Sequence, residues 1–342
     1  MLPFAPRPTR AATLAGLAML PLSLLACRPA DNTRPLVGLI TKTETNPFFV
    51  TMRRGADSAA RDAGVRLVAG AGRSDGDNAG QVTAIENQVT AGARVIMISP
   101  SDAKAIVPAI RKARDAGVLV IAVDSPTDPM DAADAFFGTD NYRAGELIGQ
   151  YARARLGDTP AKIVTIDLIP GHPTGAQRHN GFLKGFGLPS NDRTSNELAQ
   201  PPEVVCMGDG IGDQSKAQTV MENCLQQHPD ANVVYTINEP SGAGAFVALR
   251  QAKREKDVIL VTVDGGCRGV EDVATGRFAA TAQQYPIRMA TLGIEAAMTF
   301  LKDGTRPSGY TDTGVALVAG TPAPGVPSLS PTEGAAKCWG TK

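Results

Sequence analysis

From Leu36 onward the sequence predicts an α/β protein of two similar doubly wound parallel-sheet lobes joined by a multi-strand hinge. Three observations predict it. Short apolar runs alternate with amphipathic stretches, the rhythm of repeated βα units and so of a parallel sheet. The helical stretches end at glycines placed as C-caps, Gly64, Gly92 and Gly117. The rhythm then restarts after Phe136-Phe137-Gly138-Thr139-Asp140-Asn141, so that one βα set follows another.

In order, the first set reads as strands Leu36–Ile40, Val65–Ala69, Val95–Ile98 and Val118–Val123, with helices near 49–63, 81–91 and 103–116 between them. The second set opens with helix Tyr142–Arg155 and strand Ile163–Ile166, then helix Gly175–Phe186 and strand Val204–Met207. Helix Gln214–Gln227, strand Val233–Ile237, helix Ser241–Ala252 and strand Val258–Val263 follow. The tail reads as strand Phe278–Gln283, helix Ile287–Leu301 and strand Thr313–Val318. A tail of this kind crosses between lobes, which divides the chain into a first lobe of 36–138 plus 285–312 and a second of 139–284 plus 313–342. Pro322 to Pro331 reads as an irregular proline-rich run over the surface.

Arg7 and Arg10 precede an apolar run from Ala11 to Ala26 that Gly16 and Pro21 interrupt, too short and broken for a membrane span. The run stops at Leu24-Leu25-Ala26-Cys27, the pattern of a bacterial lipobox. Residues 1–26 are then a signal peptide, Cys27 the lipidated first residue and 27–35 a tether, which puts the body on the periplasmic or cell-surface side. A plain cleaved signal peptide with an incidental cysteine is the alternative. Lysine plus arginine and aspartate plus glutamate are equal at 34 each, so no net field favours nucleic acid. Setting Cys27 aside leaves Cys206, Cys224, Cys267 and Cys338, an even set in an exported chain. Of the possible pairings, Cys206–Cys224 staples a strand end to the next helix and Cys267–Cys338 pins the tail. Chain-entropy arguments make such links worth about 3 and about 4–5 kcal/mol. Neither a Cys-x-x-Cys nor a nearby histidine pair supports zinc.

Open α/β sheets bind ligands outside the carboxyl ends of their strands. The loop after the first strand, Thr41-Lys42-Thr43-Glu44-Thr45-Asn46-Pro47-Phe48-Phe49, offers an ammonium, an amide and two aromatic rings. Rings suit the C–H faces of a sugar and the polar groups suit its hydroxyls. Other strand ends carry Ser99 and Asp102, Asp124, Asn238-Glu239 and Asp264, while Asn141 and Gln284 mark crossings and Arg178 lies in a helix-opening segment. Each has a plainer reading. Asp124, Asp264 and Asn238 could be helix N-caps, Arg178 a solvated helix residue, and Phe48 with Phe49 a staple of which one ring is core and one faces the cleft. Asp75-Gly76-Asp77-Asn78 reads as an Asx-rich turn rather than a calcium site. No Gly-x-Ser-x-Gly, His-Glu-x-x-His or Walker A pattern occurs, and no cofactor or enzymatic activity is expected.

Asn46-Pro47-Phe48-Phe49, Val123-Asp124, Thr139-Asp140-Asn141, Arg178 with Gly181-Phe182, Ile237-Asn238-Glu239 and Val263-Asp264-Gly265 occur in the order seen in one family. Through them the chain resembles periplasmic sugar-binding proteins of the ribose/galactose class, with the type I periplasmic binding fold. Ile40-Thr41-Lys42-Thr43, Met221-Glu222-Asn223-Cys224, Tyr235-Thr236-Ile237-Asn238-Glu239-Pro240, Gln283-Gln284-Tyr285-Pro286, Gly265-Gly266-Cys267 and Lys337-Cys338-Trp339 resemble the fructose-binding subgroup more closely. The resemblance implies capture of a monosaccharide between hinged lobes by a monomer that docks on an ABC permease. It implies Lys42, Asn46, Phe48, Phe49, Asp124, Asn141, Arg178, Asn238, Asp264 and Gln284 as ligand-binding residues. The chain departs from ribose binders at Lys42, where a small hydroxyl residue is common, and at Ser125, where an arginine is common. It also lacks their second-lobe aromatic near Gly210-Ile211-Gly212. Lys42 could favour a ketose hydroxyl set or an anionic sugar. A repressor effector domain shares the fold, but a signal peptide stands where its DNA-binding head would be. A receptor that passes a small polar signal to a membrane sensor is the alternative to uptake.

Overall fold

Unbroken apolar runs such as Val95-Ile96-Met97-Ile98, all buried, become central strands because helices cover both faces of the sheet. The computed structural model describes residues 1–5 and 34–340. The segment read as a signal peptide, apart from its first five residues, and Cys27 lie outside the described residues. Chain from Arg34 onward forms one compact unit.

The first sheet contains β1 (Leu36–Thr41), β2 (Arg66–Ala71), β3 (Ala93–Ile98), β4 (Leu119–Val123), β5 (Ala135–Gly138) and β11 (Gly309–Asp312), in the order β11-β5-β4-β3-β1-β2. The second contains β6 (Ile163–Asp167), β7 (Val204–Asp209), β8 (Val233–Thr236), β9 (Ile259–Asp264), β10 (Ala280–Gln283) and β12 (Ala316–Ala319), in the order β12-β10-β9-β8-β6-β7. Every pairing is parallel except β10 with β12. Helices α1 (Pro47–Asp62), α2 (Asn78–Thr90), α3 (Val107–Asp115) and α9 (Pro286–Asp303) cover the first sheet. The second is covered by α4 (Asn141–Leu156), α5 (Pro173–Phe186), α6 (Gln214–Gln227), α7 (Glu239–Gln251), α8 (Cys267–Ala274) and α10 (Pro331–Ala335). Alternate β1 residues serve opposite faces, Val37 and Leu39 packing with α1 and α9 residues, and Leu36 and Ile40 with α2 and α3 residues.

Strand order reverses between β1 and β3 in one sheet and between β6 and β8 in the other. These reversals are the switch points beside which a doubly wound sheet leaves a crevice. The chain passes between the sheets after β5, after β10 and after β11.

Several local expectations are corrected. The strand expected over Thr313–Val318 starts later, as β12 from Ala316, beyond Gly314, whose φ of 90° breaks the extended run. The helix expected from residue 103 begins at Val107, because Asp102 takes the amides of Lys104 and Ala105 into a turn first. Strands β5 and β11 and helix α8 had no counterpart in the sequence reading. The run to Pro331 is followed at once by α10, closed by a capping box between Ser330 and Glu333. Both expected disulfides are present: Cys206–Cys224 ties β7 to α6, and Cys267–Cys338 ties the start of α8 to the tail, with Cα–Cα separations of 5.7 and 4.8 Å.

Candidate functional site

The loop after β1 is shaped by its own polar groups. Asn46 caps α1, its side chain accepting from the Phe48 amide at 3.0 Å, with Pro47 opening the helix. The cap fixes Phe48 and Phe49 in the first turn, edge to face at 5.3 Å. Below them Gln81, fully buried, donates to the carbonyls of Thr41 and Ser99 and accepts from the Ser101 amide, which locks the ends of β1 and β3 together at the switch point. Ser99 and Ser125 both donate to Asp124 Oδ2, at 2.8 and 3.0 Å, and Lys42 Nζ lies 3.8 Å from the same oxygen. Asp124 is no helix cap; its φ of 65° is a strained conformation of the kind that gathers at functional positions.

The second lobe presents Arg178, Asn238 and Asp264. Arg178 is buried on α5 and uses three of its five N–H groups. Nε donates to Asn141 Oδ1 at 2.7 Å, Nη1 to the Ile237 carbonyl at 2.8 Å and Nη2 to Gln284 Oε1 at 3.3 Å. Asn238 does cap α7, accepting from the Ser241 amide, while its Nδ2 donates to the Gly212 carbonyl at 3.4 Å. Asp264, with φ 145°, accepts from Gln284 Nε2 at 2.7 Å and from the Glu239 amide at 3.3 Å. Gln284 is the hub of the crossings. It also takes a bond from Thr139 Oγ1 at 3.0 Å, and its carbonyl accepts from Trp339 Nε1 at 2.7 Å.

These groups converge on a chamber of about 40 Å³ lined by nine of the ten residues expected at the site; the tenth, Asn141, stands behind Arg178 and aims it. The expectation that only one of the paired rings is core is corrected: Phe48 and Phe49 both belong to the first lobe's core and both line the chamber. Asp75, Leu168, Thr174 and Ile237 also line it and were not expected there. Trp339, the only tryptophan, was not expected either. The tail that carries it is tied to α8 by Cys338, yet its ring packs edge-on against Phe48 at 5.3 Å, in the first lobe's core.

Burial raises Asp264 to about 6, against the opposing pull of Arg178 and the bonds from Gln284 and Glu239. A carboxyl raised on folding contributes its stability fully at acid pH, and loses it as pH rises through about 6. Asp264→Asn cannot ionise, so its melting temperature relative to wild type is expected to rise from pH 4 to pH 7. A difference that stays flat between those pH values would show that Asp264 does not titrate there. Among the described residues no cluster of His, Cys, Asp and Glu is arranged to hold a metal ion, and no helix is long and apolar enough to cross a membrane.

The periplasmic binding protein domain family matches residues 37–305. The D-ribose/D-allose-binding protein of Pseudomonas aeruginosa is 28% identical over 313 residues, 88% of this chain and 93% of that protein. The ribose import binding protein of Escherichia coli is 29% identical over 291 residues, covering 85% and 92%. Among solved structures, an ABC transporter periplasmic solute-binding protein of Actinobacillus succinogenes with bound D-allose superposes with a TM-score of 0.73 at 25% identity, covering 84% of this chain and 98% of that one. A solute-binding protein of Mycobacterium smegmatis with bound glycerol gives 0.75 at 27% identity, covering 90% and 100%. These relatives are binding proteins rather than enzymes. With two doubly wound lobes, three crossings and a family match over most of its length, the chain belongs to the periplasmic binding protein family.

Proposed function

We propose that this protein is the extracytoplasmic solute-binding component of an ABC transporter. It captures a monosaccharide, fructose or a similar sugar, between lobes 36–138 plus 285–312 and 139–284 plus 313–342, and presents the closed form to a permease. Cys27 anchors it to the membrane by a lipid. The observation that carries the reading is the meeting of Lys42, Asp124 and the Phe48–Phe49 pair with Arg178, Asn238 and Asp264 from the other lobe around one chamber. A carboxylate accepts from neighbouring hydroxyls, a guanidinium donates to others, and rings cover the C–H face of the sugar. A ligand that touches both lobes makes all its contacts only when they are closed, and that differential affinity moves the hinge equilibrium. Two of the relatives are named for ribose or allose, and fructose is preferred here because Ile40-Thr41-Lys42-Thr43 and Gln283-Gln284-Tyr285-Pro286 resemble the fructose-binding subgroup.

The test is calorimetric titration with fructose, ribose, allose, galactose, glucose and inositol, after unfolding and refolding to strip carried-over ligand. One-to-one binding of fructose at micromolar Kd or tighter, about −8 kcal/mol or below, is the expected result. Trp339 reports closure independently, since it bridges the tail of one lobe and Phe48 of the other. Its emission should move to the blue on binding. A folded protein that binds none of these sugars would refute the proposal.

A further inference from the structure

The turn after β2 divides the work of its two carboxyl groups. Asp77 faces its own chain: it caps α2, accepting from the Gly80 amide at 2.9 Å, and takes the Arg73 amide at 3.0 Å. Asp75 instead lines the chamber, and its Oδ1 is buried without a hydrogen-bond partner. Its other oxygen reaches the opposite lobe. A Cβ placed on Gly212, in the loop between β7 and α6, would lie 2.4 Å from Asp75 Oδ2 and 3.0 Å from Asn238 Nδ2. The carboxyl of one lobe thus fills the place where the other lobe has no side chain.

The chamber wall carries two cations, Lys42 and Arg178, and three carboxyl groups, Asp75, Asp124 and Asp264. Lys42 lies 3.8 Å from Asp124, and Arg178 makes three hydrogen bonds, all to neutral acceptors. A carboxylate or phosphate on a ligand would bring a fourth acid group to a wall that already carries three against two cations. A hydroxyl, in contrast, supplies the donor that Asp75 Oδ1 lacks. Burial already raises the Asp75 carboxyl, with Lys42 opposing and Asp124 and Asp213 adding to the rise. An incoming anion would therefore meet either repulsion or the need to take up a proton.

We propose that Asp75 is a specificity-determining residue, whose free oxygen takes a hydroxyl of a neutral monosaccharide and whose carboxyl, with Asp124 and Asp264, turns away sugar acids and sugar phosphates. The proposal rests on the sugar-binding reading above and narrows it to uncharged sugars.

The experiment titrates wild type, Asp75→Asn and Asp75→Ala at pH 7 with the six sugars named above and with galacturonate and glucuronate, and records a thermal melt of each protein. Wild type should bind a neutral sugar and hold both acids about 100-fold more weakly or not at all. Asp75→Ala should weaken the neutral sugar about 10-fold or more. Asp75→Asn keeps the shape and removes the charge, so it should narrow the preference for neutral sugar over acid by about 10-fold, a change that a merely structural role would not produce. If both variants keep wild-type affinity and selectivity, Asp75 is not a determinant, although sugar binding stands. A wild type that prefers the acids overturns the charge argument. Silence of wild type toward every sugar overturns the binding reading and the role of Asp75 with it.

Discussion

Gly145→Ala is expected to destabilise the protein by about 3 kcal/mol, near the top of the range for forcing atoms into a filled interior. A Cβ at that position would lie 2.1 Å from the Arg178 carbonyl oxygen and 2.7 Å from the Phe182 amide nitrogen. The obstacle is backbone on both counts, so no rotamer change relieves it. One step along, a Cβ on Gly149 would lie 2.1 Å from the Phe182 carbonyl, and from the other helix Gly181 and Gly185 meet the carbonyls of Tyr142 and Glu146 at 2.1 Å. Helices α4 and α5 therefore touch backbone to backbone along two Gly-x-x-x-Gly rows, an approach that only a residue without a Cβ permits. This contact holds Arg178 over the chamber and Asn141 beside it. Alanine at Gly145 should lower the midpoint of urea unfolding with little change in slope. Gly76→Ala is the control, because nothing lies within 4 Å of a Cβ there. Equal midpoints for the two variants would mean that the helices can part at little cost.

The parts of the fold that were legible in the sequence are those fixed by local chemistry. Central strands are continuous apolar runs because both faces are covered, and helix ends announce themselves by glycine at Gly64, Gly92 and Gly117, all with positive φ. The polar strand ends were legible for the same reason, since an Asp or Lys directly after such a run has few roles in a packed sheet. Asn238 shows why the competing readings were hard to separate: it caps α7 and lines the chamber at once. Asp75 was passed over because its neighbour Asp77 makes the turn that the motif advertises, and only the approach of Gly212 from the other lobe gives Asp75 its separate place. Trp339 is a similar case. Nothing near it in sequence indicates that its ring lies on Phe48, some 290 residues earlier, or that its indole bonds the Gln284 carbonyl. Helix α10 is different, because Ser330 and Glu333 stand at capping-box spacing and the prolines around them hid a local signal that was there to be read.

Arg178→Ala should weaken sugar binding by about 100-fold or more, the largest loss expected from any single side chain of the chamber. Asn141 Oδ1 and the Ile237 carbonyl lose their donor, and Gln284 Oε1 is left with Thr139 Oγ1 alone. Each is buried, and an orphaned buried acceptor costs about 1–3 kcal/mol, so a fall in stability should accompany the loss of affinity. Asp264 is affected as well. The Arg178 charge is the largest influence holding its carboxyl down against burial, so in the variant Asp264 should titrate above its value of about 6 and offer a sugar less acceptor strength at neutral pH. Arg178→Lys separates these effects. A lysine restores a positive charge but lacks the planar fork that reaches three acceptors at once, so it should recover part of the stability and little of the affinity. Calorimetry on both variants, each with a thermal melt, distinguishes the roles. Affinity that survives in Arg178→Ala while stability falls would make Arg178 a strut of the hinge. Affinity lost in both, with stability regained in the lysine variant, would place the guanidinium against the ligand itself, through the two N–H groups that its protein partners leave over.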